Sequence, residues 1–217
     1  MAKLKKLAIF DFDGTIYTDQ SPDMYVDYVA SKNLYTAILE KVCSYLIKKP
    51  KYNGIIHKKV KLLKARGVTK EDFGKYAVPF LEEKVFPSLI DPVYERLLGY
   101  IKNDEFEVLI ASASYEDYIK PFCDKLGIKL FVATKLKWKN GKATGEMDGY
   151  DCIGYEKVKR INKIIDTTQY DLQNSVCYSD SWSDKPIFNL VGIKYFVKNT
   201  KKDCQIVQIP NDVFAVI

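Results

Sequence analysis

The hydrophobic pattern opens with a short apolar run at residues 7–10, which is followed by Asp11-Phe12-Asp13-Gly14-Thr15. An uninterrupted apolar run of this length, bounded by Gly, is typical of a buried strand. We therefore predict a central strand that opens into a loop at the two Asp residues. Open α/β sheets place their ligands at this end of their strands.

Residues 18–87 show helical rather than strand spacing of their apolar positions. Ser21-Pro22 predicts a helix start, with Ser as the cap and Pro in the first turn. Thr69 and Asp72 have the spacing of a capping box. The pattern therefore predicts a helical insertion, rich in Tyr and Lys, after the first strand. Packing is the expected role of the tyrosines at positions 17, 25, 28, 35, 45, 52 and 76, with an apolar substrate pocket as the alternative.

Further strands and helices are predicted in the second half of the chain. One helix should begin at Asp91-Pro92 and another at Tyr155. A hairpin is predicted over residues 135–147, with its turn at Asn140-Gly141. Strands are predicted over residues 106–110, 130–133, 175–178 and around 195–197, and the tail from residue 199 is assigned no more than an edge strand.

Length and composition allow one large core, or a core with a smaller domain. The chain has 217 residues, 47% of them hydrophobic, which suits a packed globular protein rather than a disordered one. The net charge of +6 comes mainly from Lys, since Arg occurs only at positions 66, 96 and 160. Diffuse Lys without a basic stripe of interleaved aromatics argues against nucleic-acid binding, although it would attract anionic substrates.

Cysteine and histidine usage excludes several kinds of site. The five cysteines include no Cys-x-x-Cys pair, which indicates reduced thiols in a cytoplasmic compartment and argues against a zinc site. The one histidine, His57, cannot by itself supply a His-based metal cluster or a Ser-His-Asp triad, and we interpret it as a surface residue. Because Asp11 cuts the first apolar run, no signal peptide is predicted. No stretch approaches the roughly 18 apolar residues of a membrane span, so a soluble protein is expected.

Asp11 and Asp13 are the first candidates for chemistry. Two carboxylates one residue apart repel each other, and burial at the end of a strand raises that cost. A divalent cation bound by the carboxylates would offset this repulsion. The segment alone leaves two alternatives open. It could be an ordinary turn, or it could begin a calcium loop, although the acidic residue that such a loop needs later is missing.

Ser112 is the next candidate. The strand predicted over residues 106–110 is followed by Ala111-Ser112-Ala113-Ser114 and then by a helix. Hydroxyl groups and free helix amides at the end of a strand suit an oxyanion. Ser114 has an alternative interpretation as the cap of the next helix, with Asp117 at the third position. Ser112 is therefore the preferred ligand.

A lysine and two further acids complete the candidates. Asp180 and Asp184 lie four residues apart, which would place both carboxylates on one face if a helical turn starts there. Either Asp alone could instead cap the helix that contains Pro186. Lys157 lies near the start of a predicted helix, where a lysine is usually solvated. Near a cluster of carboxylates, the same lysine would bind phosphate.

These segments, in this order, resemble the four motifs of the haloacid dehalogenase superfamily of phosphotransferases. The residues that carry the resemblance are Asp11 to Thr15, Ser112, Lys157, and Asp180 with Asp184. The helical insertion resembles the cap of the phosphoserine phosphatase-like branch. More closely, residues 110–114, 154–158 and 178–181 resemble a group of hydrolases assigned to subclass IB.

The resemblance implies an α/β fold with a doubly wound parallel sheet. It implies the strand order 5-4-1-2-3, helices on both faces, and the motifs at the carboxyl ends of the strands. It also implies two domains. Residues 1–17 and 88–217 would form the catalytic core, and residues 18–87 would form a helical cap inserted after the first strand.

The resemblance further implies a role for each candidate in phosphate ester hydrolysis. Asp11 would attack phosphorus and become an aspartyl phosphate. Asp13 would protonate the leaving alcohol and then activate the water that hydrolyses the intermediate. Ser112 and Lys157 would bind the phosphoryl oxygens. The cap would close over the site, exclude water and contact the alcohol part of the substrate.

Mg2+ is the cofactor that the resemblance implies. Its ligands would be the side chain of Asp11, the main-chain carbonyl of Asp13 and the side chain of Asp180, with Asp184 holding a water. Magnesium prefers a few carboxylates together with waters and a substrate phosphate, so these residue types suit it.

The substrate is less well defined by the sequence. Phosphoserine phosphatases carry a Glu shortly after the first motif and an Arg in the cap, and the matching positions here are Gln20 and Arg66. Gln20 lacks the charge to pair with an ammonium group, so we expect a different small phosphate ester. The alternatives are specificity for phosphoserine or a glycerophospholipid headgroup, phosphoryl transfer to a second alcohol, and a noncatalytic protein that binds a phosphorylated partner. The intact set of acids disfavours the last alternative, and no oligomeric state is predicted.

Overall fold

The computed structural model describes residues 4–32, 54–200 and 203–210. Its strands are β1 (Lys6–Phe10), β2 (Phe106–Tyr115), β3 (Leu130–Thr134), β4 (Leu136–Lys139), β5 (Lys142–Met147), β6 (Val176–Ser179), β7 (Ile193–Thr200) and β8 (Asp203–Ile209). Its α-helices are α1 (Ser21–Ser31), α2 (Gly54–Leu62), α3 (Lys70–Lys75), α4 (Ala77–Phe80), α5 (Asp91–Ile101), α6 (Glu116–Leu126), α7 (Tyr155–Ile164) and α8 (Lys185–Phe188).

Six of these strands form one sheet in the order β3-β2-β1-β6-β7-β8. All neighbouring pairs are parallel except β7 with β8. If only the five parallel strands are numbered along the chain, their order is 3-2-1-4-5. This is the predicted order 5-4-1-2-3 read from the opposite edge of the sheet, so the prediction is confirmed. The tail supplies β8 as an antiparallel edge strand. The hairpin forms a second sheet of β4 and β5, and its turn residues Asn140 and Gly141 have φ values of 51° and 73°, as a two-residue type I′ turn requires.

The side chains of β1 alternate between two hydrophobic clusters, one on each face of the sheet. Ala8 and Phe10 belong to the cluster that includes α5 and α6, whereas Leu7 and Ile9 belong to the cluster that includes α7 and α8. All four side chains are fully buried. A strand buried on both faces is apolar along its whole length, which explains the apolar run in the sequence. Helices cover both faces, so the doubly wound α/β fold is confirmed.

The insertion leaves and re-enters the rest of the chain at two adjacent segments. The N–H of Thr18 donates to the carbonyl of Ser88 at 3.2 Å, and the N–H of Ile90 donates to the carbonyl of Ile16 at 2.8 Å. Helices α1 to α4 lie between these crossing points. The crossing coincides with the cap boundaries expected from the sequence, while the division into cap and core remains a prediction.

The hairpin of β4 and β5 packs against this insertion. The N–H of Gly67 donates to the carbonyl of Ala143, and the N–H of Ala143 donates to the carbonyl of Val68, both at 2.8 Å. The rings of Phe73 and Trp138 meet edge to face, with their centroids 5.6 Å apart. The insertion is therefore held on one side by backbone hydrogen bonds to a segment that follows β3.

One of the two predicted helix caps is wrong. Gln20, not Ser21, is the N-cap of α1, and Gln20 makes no side-chain capping bond. Ser21 lies in the first turn, and its buried side chain bonds a residue of the site described below. Thr69 is confirmed as the cap of α3, because its side chain accepts a hydrogen bond from the N–H of Asp72 at 3.0 Å, while the Asp72 carboxylate accepts the Thr69 hydroxyl at 2.9 Å.

Several smaller expectations can also be compared with the structure. Tyr17 and Tyr25 are buried in the core, Tyr28 and Tyr76 pack at its edge, and positions 35, 45 and 52 lie outside the described residues. His57 is not a simple surface residue, since its Nε2 lies 2.6 Å from Asp23 Oδ2 and its side chain is only 30% exposed. The cysteines at 123, 152, 177 and 204 carry free thiols. None of the helices in the described ranges has the length and apolar character needed to cross a bilayer.

Candidate active site

Three adjacent strands bring the candidate residues to one end of the sheet. Strand β1 lies between β2 and β6 and runs parallel to both, so the carboxyl ends of the three strands meet. Asp11 follows β1, Ser112 lies near the end of β2, and Asp180 follows β6. This is the end at which open α/β sheets bind their ligands.

Lys157 contacts two of the acids. Its Nζ donates hydrogen bonds to Asp11 Oδ1 at 2.9 Å and to Asp184 Oδ2 at 2.7 Å. Lys157 and Ile161 are the buried residues of α7 and lie one turn apart, so the lysine is on the helix face that packs on the sheet. The side chains of Lys157 and Asp184 are 2% and 1% exposed. The ammonium group is thus buried between two carboxylates rather than solvated.

Hydroxyl groups from the insertion and from β2 hold Asp13. Its Oδ1 accepts hydrogen bonds from the N–H and the hydroxyl of Ser21, at 3.0 and 2.5 Å, and its Oδ2 accepts one from the hydroxyl of Ser114 at 2.6 Å. The hydroxyl of Tyr118 lies 2.7 Å from Ser21 Oγ. The interpretation of Ser114 as a helix cap is wrong, because Tyr115 is the N-cap of α6 and makes no side-chain capping bond.

Gly14 and Thr15 position Asp180. The hydroxyl oxygen of Thr15 accepts the N–H of Asp180 at 3.0 Å, and the hydroxyl donates to Asp180 Oδ1 at 3.2 Å. Gly14 has a φ of +74°, and a β-carbon at this position would lie 2.1 Å from Asp180 Oδ2. The Gly-Thr pair after the first strand therefore packs directly against an acid that follows β6.

Asp184 and Ser112 are both buried. Asp184 Oδ2 also accepts the hydroxyl of Ser179 at 2.7 Å, while its Oδ1 has no hydrogen-bond partner among the described residues. The side chain of Asp184 does not cap α8. Ser112 Oγ accepts the N–H of Ser114 at 2.9 Å. Because this bond uses a lone pair, the Ser112 hydroxyl can still donate its own proton.

The electrostatics of the site are dominated by burial and by the surplus of acids. Burial raises the pKa of Asp11 well above its usual range, Lys157 opposes the shift, and Asp184 and Asp180 add to it. Burial alone would lower the pKa of Lys157, but Asp11 and Asp184 outweigh it, so this pKa is raised and the ammonium stays charged. Burial also raises the pKa of Asp13, against the hydrogen bonds from Ser114 and Ser21.

The donor set fits Mg2+. Lys157 pairs with the carboxylates of Asp11 and Asp184, Asp180 adds a third carboxylate that raises the pKa of Asp11, and one buried oxygen of Asp184 has no donor among the described residues. Within those same ranges, no three His, Cys, Asp or Glu side chains are arranged to hold one ion together. Mg2+ does not need such a group, since it takes one or two carboxylates and completes its coordination with water and substrate oxygens.

A family model described as haloacid dehalogenase-like hydrolase matches residues 8–189 of the chain. The chain belongs to this family. The match contains every motif residue on which the resemblance rested, from Asp11 to Asp184, and the observed strand order is the one that the resemblance implied. The recognition made from the sequence is therefore confirmed.

Individual relatives match most of this haloacid dehalogenase-like chain. A histidinol-phosphatase from Neisseria meningitidis is 27% identical over 197 residues, which cover 87% of this chain and 88% of that protein. A phosphoserine phosphatase from Methanocaldococcus jannaschii is 25% identical over 195 residues, with coverages of 89% and 86%. The crystal structure of a protein of unknown function from Bordetella pertussis matches with a TM-score of 0.72 and 19% identity, covering 88% and 89% of the two chains. This last match shows a shared fold.

The structure does not place the two specificity candidates of this haloacid dehalogenase-like protein among the buried acids. Gln20 is exposed and immediately precedes α1. Arg66 is exposed and lies beside β5, where Lys137 and, to a smaller extent, Arg66 lower the pKa of Glu146. Their role in substrate selection stays a prediction.

Sequence reasoning missed three residues that bond the site. Ser21 and Ser114 were both interpreted as helix caps, yet both donate to Asp13. A serine in each segment was the available signal, but only the fold shows that the carboxylate is the acceptor. Lys58, on the lysine-rich helix α2, also donates a hydrogen bond to the Ser112 segment, at the carbonyl of Ala113, and nothing in the sequence around it indicated this contact.

Proposed function

We propose that this chain is a Mg2+-dependent phosphomonoesterase that hydrolyses a small phosphate ester through an aspartyl phosphate on Asp11. Family membership supports a hydrolase, and the two relatives described above are both named as phosphatases. The observation that carries the proposal is the buried contact of Lys157 with Asp11 at 2.9 Å and with Asp184 at 2.7 Å. This contact joins a nucleophile candidate to a group that would bind phosphate.

Asp11 is proposed as the nucleophile because one of its oxygens is fixed and the carboxylate lies at the end of the central strand. Lys157 bonds Oδ1, which orients the carboxylate for attack on phosphorus. As the new oxygen–phosphorus bond forms, the bond from phosphorus to the ester oxygen breaks, and the electron pair leaves with that oxygen. Lys157 and the Ser112 hydroxyl would donate to the phosphoryl oxygens during this step.

Asp13 is proposed as the general acid and base. Its pKa is raised by burial, which favours the protonated form that the leaving oxygen requires. Once it has lost that proton, the carboxylate would accept a proton from the water that attacks the aspartyl phosphate. Ser21 and Ser114 would keep it oriented in both steps. A protein that only binds a phosphorylated partner would gain nothing from such a group.

The proposed holders of Mg2+ are the side chains of Asp11 and Asp180 and the main-chain carbonyl of Asp13, with Asp184 bonding a coordinated water. When bound, the ion supplies the positive charge that balances the acids and the substrate phosphate. Thr15 and Gly14 keep Asp180 in position for this role, through the hydroxyl contacts and the close approach already described.

The proposed substrate is a small ester whose alcohol part lies on the side of the insertion. Gln20 carries no charge where the phosphoserine phosphatase-like pattern has a Glu, so phosphoserine is not the expected preference. A panel of phosphate esters that includes phosphoserine, histidinol phosphate and glycerol phosphate would rank the candidates by kcat/KM. A phosphoserine value far above all others would contradict this expectation.

Release of phosphate from p-nitrophenyl phosphate tests the proposed reaction. We expect turnover with Mg2+ and none after treatment with EDTA, with recovery when Mg2+ is restored. Equal turnover with and without the metal would contradict the proposed cofactor. Absence of phosphate release from the whole ester panel in the presence of Mg2+ would contradict the proposed function. Added acceptor alcohols would show transphosphorylated product if transfer competes with hydrolysis.

A further inference from the structure

We propose that Lys58 positions the phosphate-binding segment Ser112-Ala113-Ser114 and thereby couples the insertion to the phosphoryl site, an inference that rests on the proposed function. Lys58 lies on α2 of the insertion. Its Nζ donates to the carbonyl of Ala113 and, at 2.6 Å, to Asp151 Oδ1. Lys58 and Asp151 are each only 8% exposed. A buried ammonium group of the insertion therefore bonds the backbone of β2 and the segment before α7.

The Ala113 carbonyl needs such a donor because β2 departs from its ladder there. The register between β2 and β3 shifts between Ala111 and Tyr115. A carbonyl where the ladder is broken must find another donor, or it remains unsatisfied at a considerable cost. Ala113 lies between Ser112 and Ser114, so fixing its carbonyl fixes the backbone that carries both serines.

The number of available protons shows why Thr134 alone cannot satisfy both the Ala113 carbonyl and the Asp151 carboxylate. The Thr134 hydroxyl has one proton but two acceptors within reach, Ala113 O at 2.8 Å and Asp151 Oδ1 at 2.6 Å. Its oxygen is also an acceptor, for the N–H of Cys152 at 3.0 Å. The Lys58 ammonium donates to both acceptors, so both are satisfied at once. Without Lys58, either the carbonyl or the buried carboxylate loses a donor.

The surroundings of the ammonium favour a positioning role over direct substrate contact. Two of its three protons are donated to Ala113 and Asp151. Nζ also lies 5.2 Å from the centroid of the Tyr115 ring, within the range of a cation–π contact. Two of the three ammonium protons and the side towards Tyr115 are therefore used by the protein's own groups.

Asp151 extends the connection to Lys157. It lies in the short segment that leads from the hairpin into α7, the helix that carries Lys157. Lys58 thus contacts the Ser112 segment and the segment that precedes α7, the helix whose Lys157 would hold the phosphoryl group. Movement of α2 away from this position would remove a donor from both elements at the same time.

Removal of the pair without leaving a buried charge provides the test. Lys58→Met alone leaves the buried Asp151 carboxylate without its cation, and an unpaired buried charge can unfold the protein. The double variant Lys58→Met/Asp151→Asn removes both charges and keeps hydrogen-bonding capacity at position 151. The matched control is Lys61→Met, because Lys61 lies on the same helix and bonds Asp27 of α1 at 2.8 Å within the insertion. The melting temperature of each variant checks that it is folded.

The decisive readout is inhibition of p-nitrophenyl phosphate hydrolysis by inorganic phosphate, measured together with KM and kcat in the presence of Mg2+. For the double variant we expect the inhibition constant and KM to rise about tenfold and kcat to fall, which is the effect of one lost hydrogen bond. Lys61→Met should leave all three values unchanged. A purely structural role would reduce the amount of active protein without changing the inhibition constant.

Three outcomes would overturn the inference. An unchanged inhibition constant and KM in the folded double variant would do so while leaving the proposed function intact, because the wild type would still hydrolyse the ester. A defect confined to esters whose alcohol part carries a negative charge, with inhibition by inorganic phosphate unaffected, would show that Lys58 contacts the substrate directly. A wild type that neither hydrolyses esters nor is inhibited by phosphate would contradict the proposed function, and this inference with it.

Discussion

The carboxylate of Asp180 lies so close to Gly14 that a β-carbon at position 14 would come within 2.1 Å of Asp180 Oδ2. Gly14 also has a φ of +74°, a backbone conformation that favours glycine. Two independent constraints therefore act at one residue. The close approach keeps an acid that follows β6 beside the loop that carries Asp11 and Asp13.

We predict that Gly14→Ala lowers kcat/KM by about a hundredfold or more, because the added methyl group must displace Asp180 and small misplacements of a site group have effects of this size. The matched control is Gly127→Ala. Gly127 has a φ of +72°, but a β-carbon there would meet nothing within 4 Å. It should lose about 1–2 kcal/mol of stability through backbone strain alone and keep its activity. Equal kcat/KM values for the two variants would contradict the role given to Asp180.

Lys157→Met should destabilise the protein as well as inactivate it. The substitution leaves Asp11 and Asp184 buried without their shared cation, and removal of one partner from a buried ion pair costs about 3–5 kcal/mol. Urea unfolding with EDTA present measures this loss. Lys159→Met is the control, since Lys159 lies on the same helix with a 59% exposed side chain. Similar unfolding free energies for both variants would show that the buried contact contributes little.

Mg2+ should raise the melting temperature of the wild type. The reason is charge, because Asp180 adds a third carboxylate beside the pair that Asp11 and Asp184 form with Lys157, and a divalent cation bound to the folded state stabilises it by mass action. Asp180→Asn removes one proposed ligand and should reduce this stabilisation. Asp124→Asn, on α6 with a 58% exposed side chain, should leave it unchanged. Identical Mg2+ effects on all three proteins would contradict the proposed ligand set.

The stability of the protein should depend on pH through Asp117. Burial raises the pKa of Asp117 to about 6, against roughly 4 in the unfolded chain. Between these values the folded state binds more protons than the unfolded state, so the unfolding free energy falls as pH rises from about 4 to 6. Asp117→Asn cannot ionise. It should be more stable than the wild type at pH 7.5, by about 1–2 kcal/mol once solvent screening is allowed for.

This gain should shrink steadily as the pH is lowered below 6, and urea unfolding at pH 5 and pH 7.5 measures the difference. Asp124→Asn again serves as the control, because its carboxylate is on the same helix but is largely exposed. A gain for Asp117→Asn that is the same at both pH values would show that the effect is not electrostatic.

The fold was largely predictable because its main signals are local. The apolar run of β1 indicates burial on both faces of the sheet, and the turn at Asn140-Gly141 requires two positive φ values. Thr69 caps its helix by accepting the N–H of Asp72, three residues further on. Each of these features involves residues close together in the sequence. The strand order came from the family resemblance rather than from any local pattern.

The site was predictable only in part, because some of its contacts have no local signature. Ser21 and Ser114 have the features of helix caps, but in the fold both hydroxyls donate hydrogen bonds to the carboxyl group of Asp13 instead. The partners of Lys58 are 55 and 93 residues away along the chain. No sequence pattern distinguishes it from Lys59 and Lys61 on the same helix.

The most direct test of the central claim compares phosphate release from p-nitrophenyl phosphate by the wild type and by Asp11→Asn, both with Mg2+. Asn keeps the shape of Asp and an oxygen that accepts from Lys157, so the variant should fold with a similar melting temperature. An amide oxygen cannot form the aspartyl phosphate, so we predict that turnover falls to the uncatalysed background. A folded Asp11→Asn protein with wild-type turnover would contradict the assignment of Asp11 as the nucleophile.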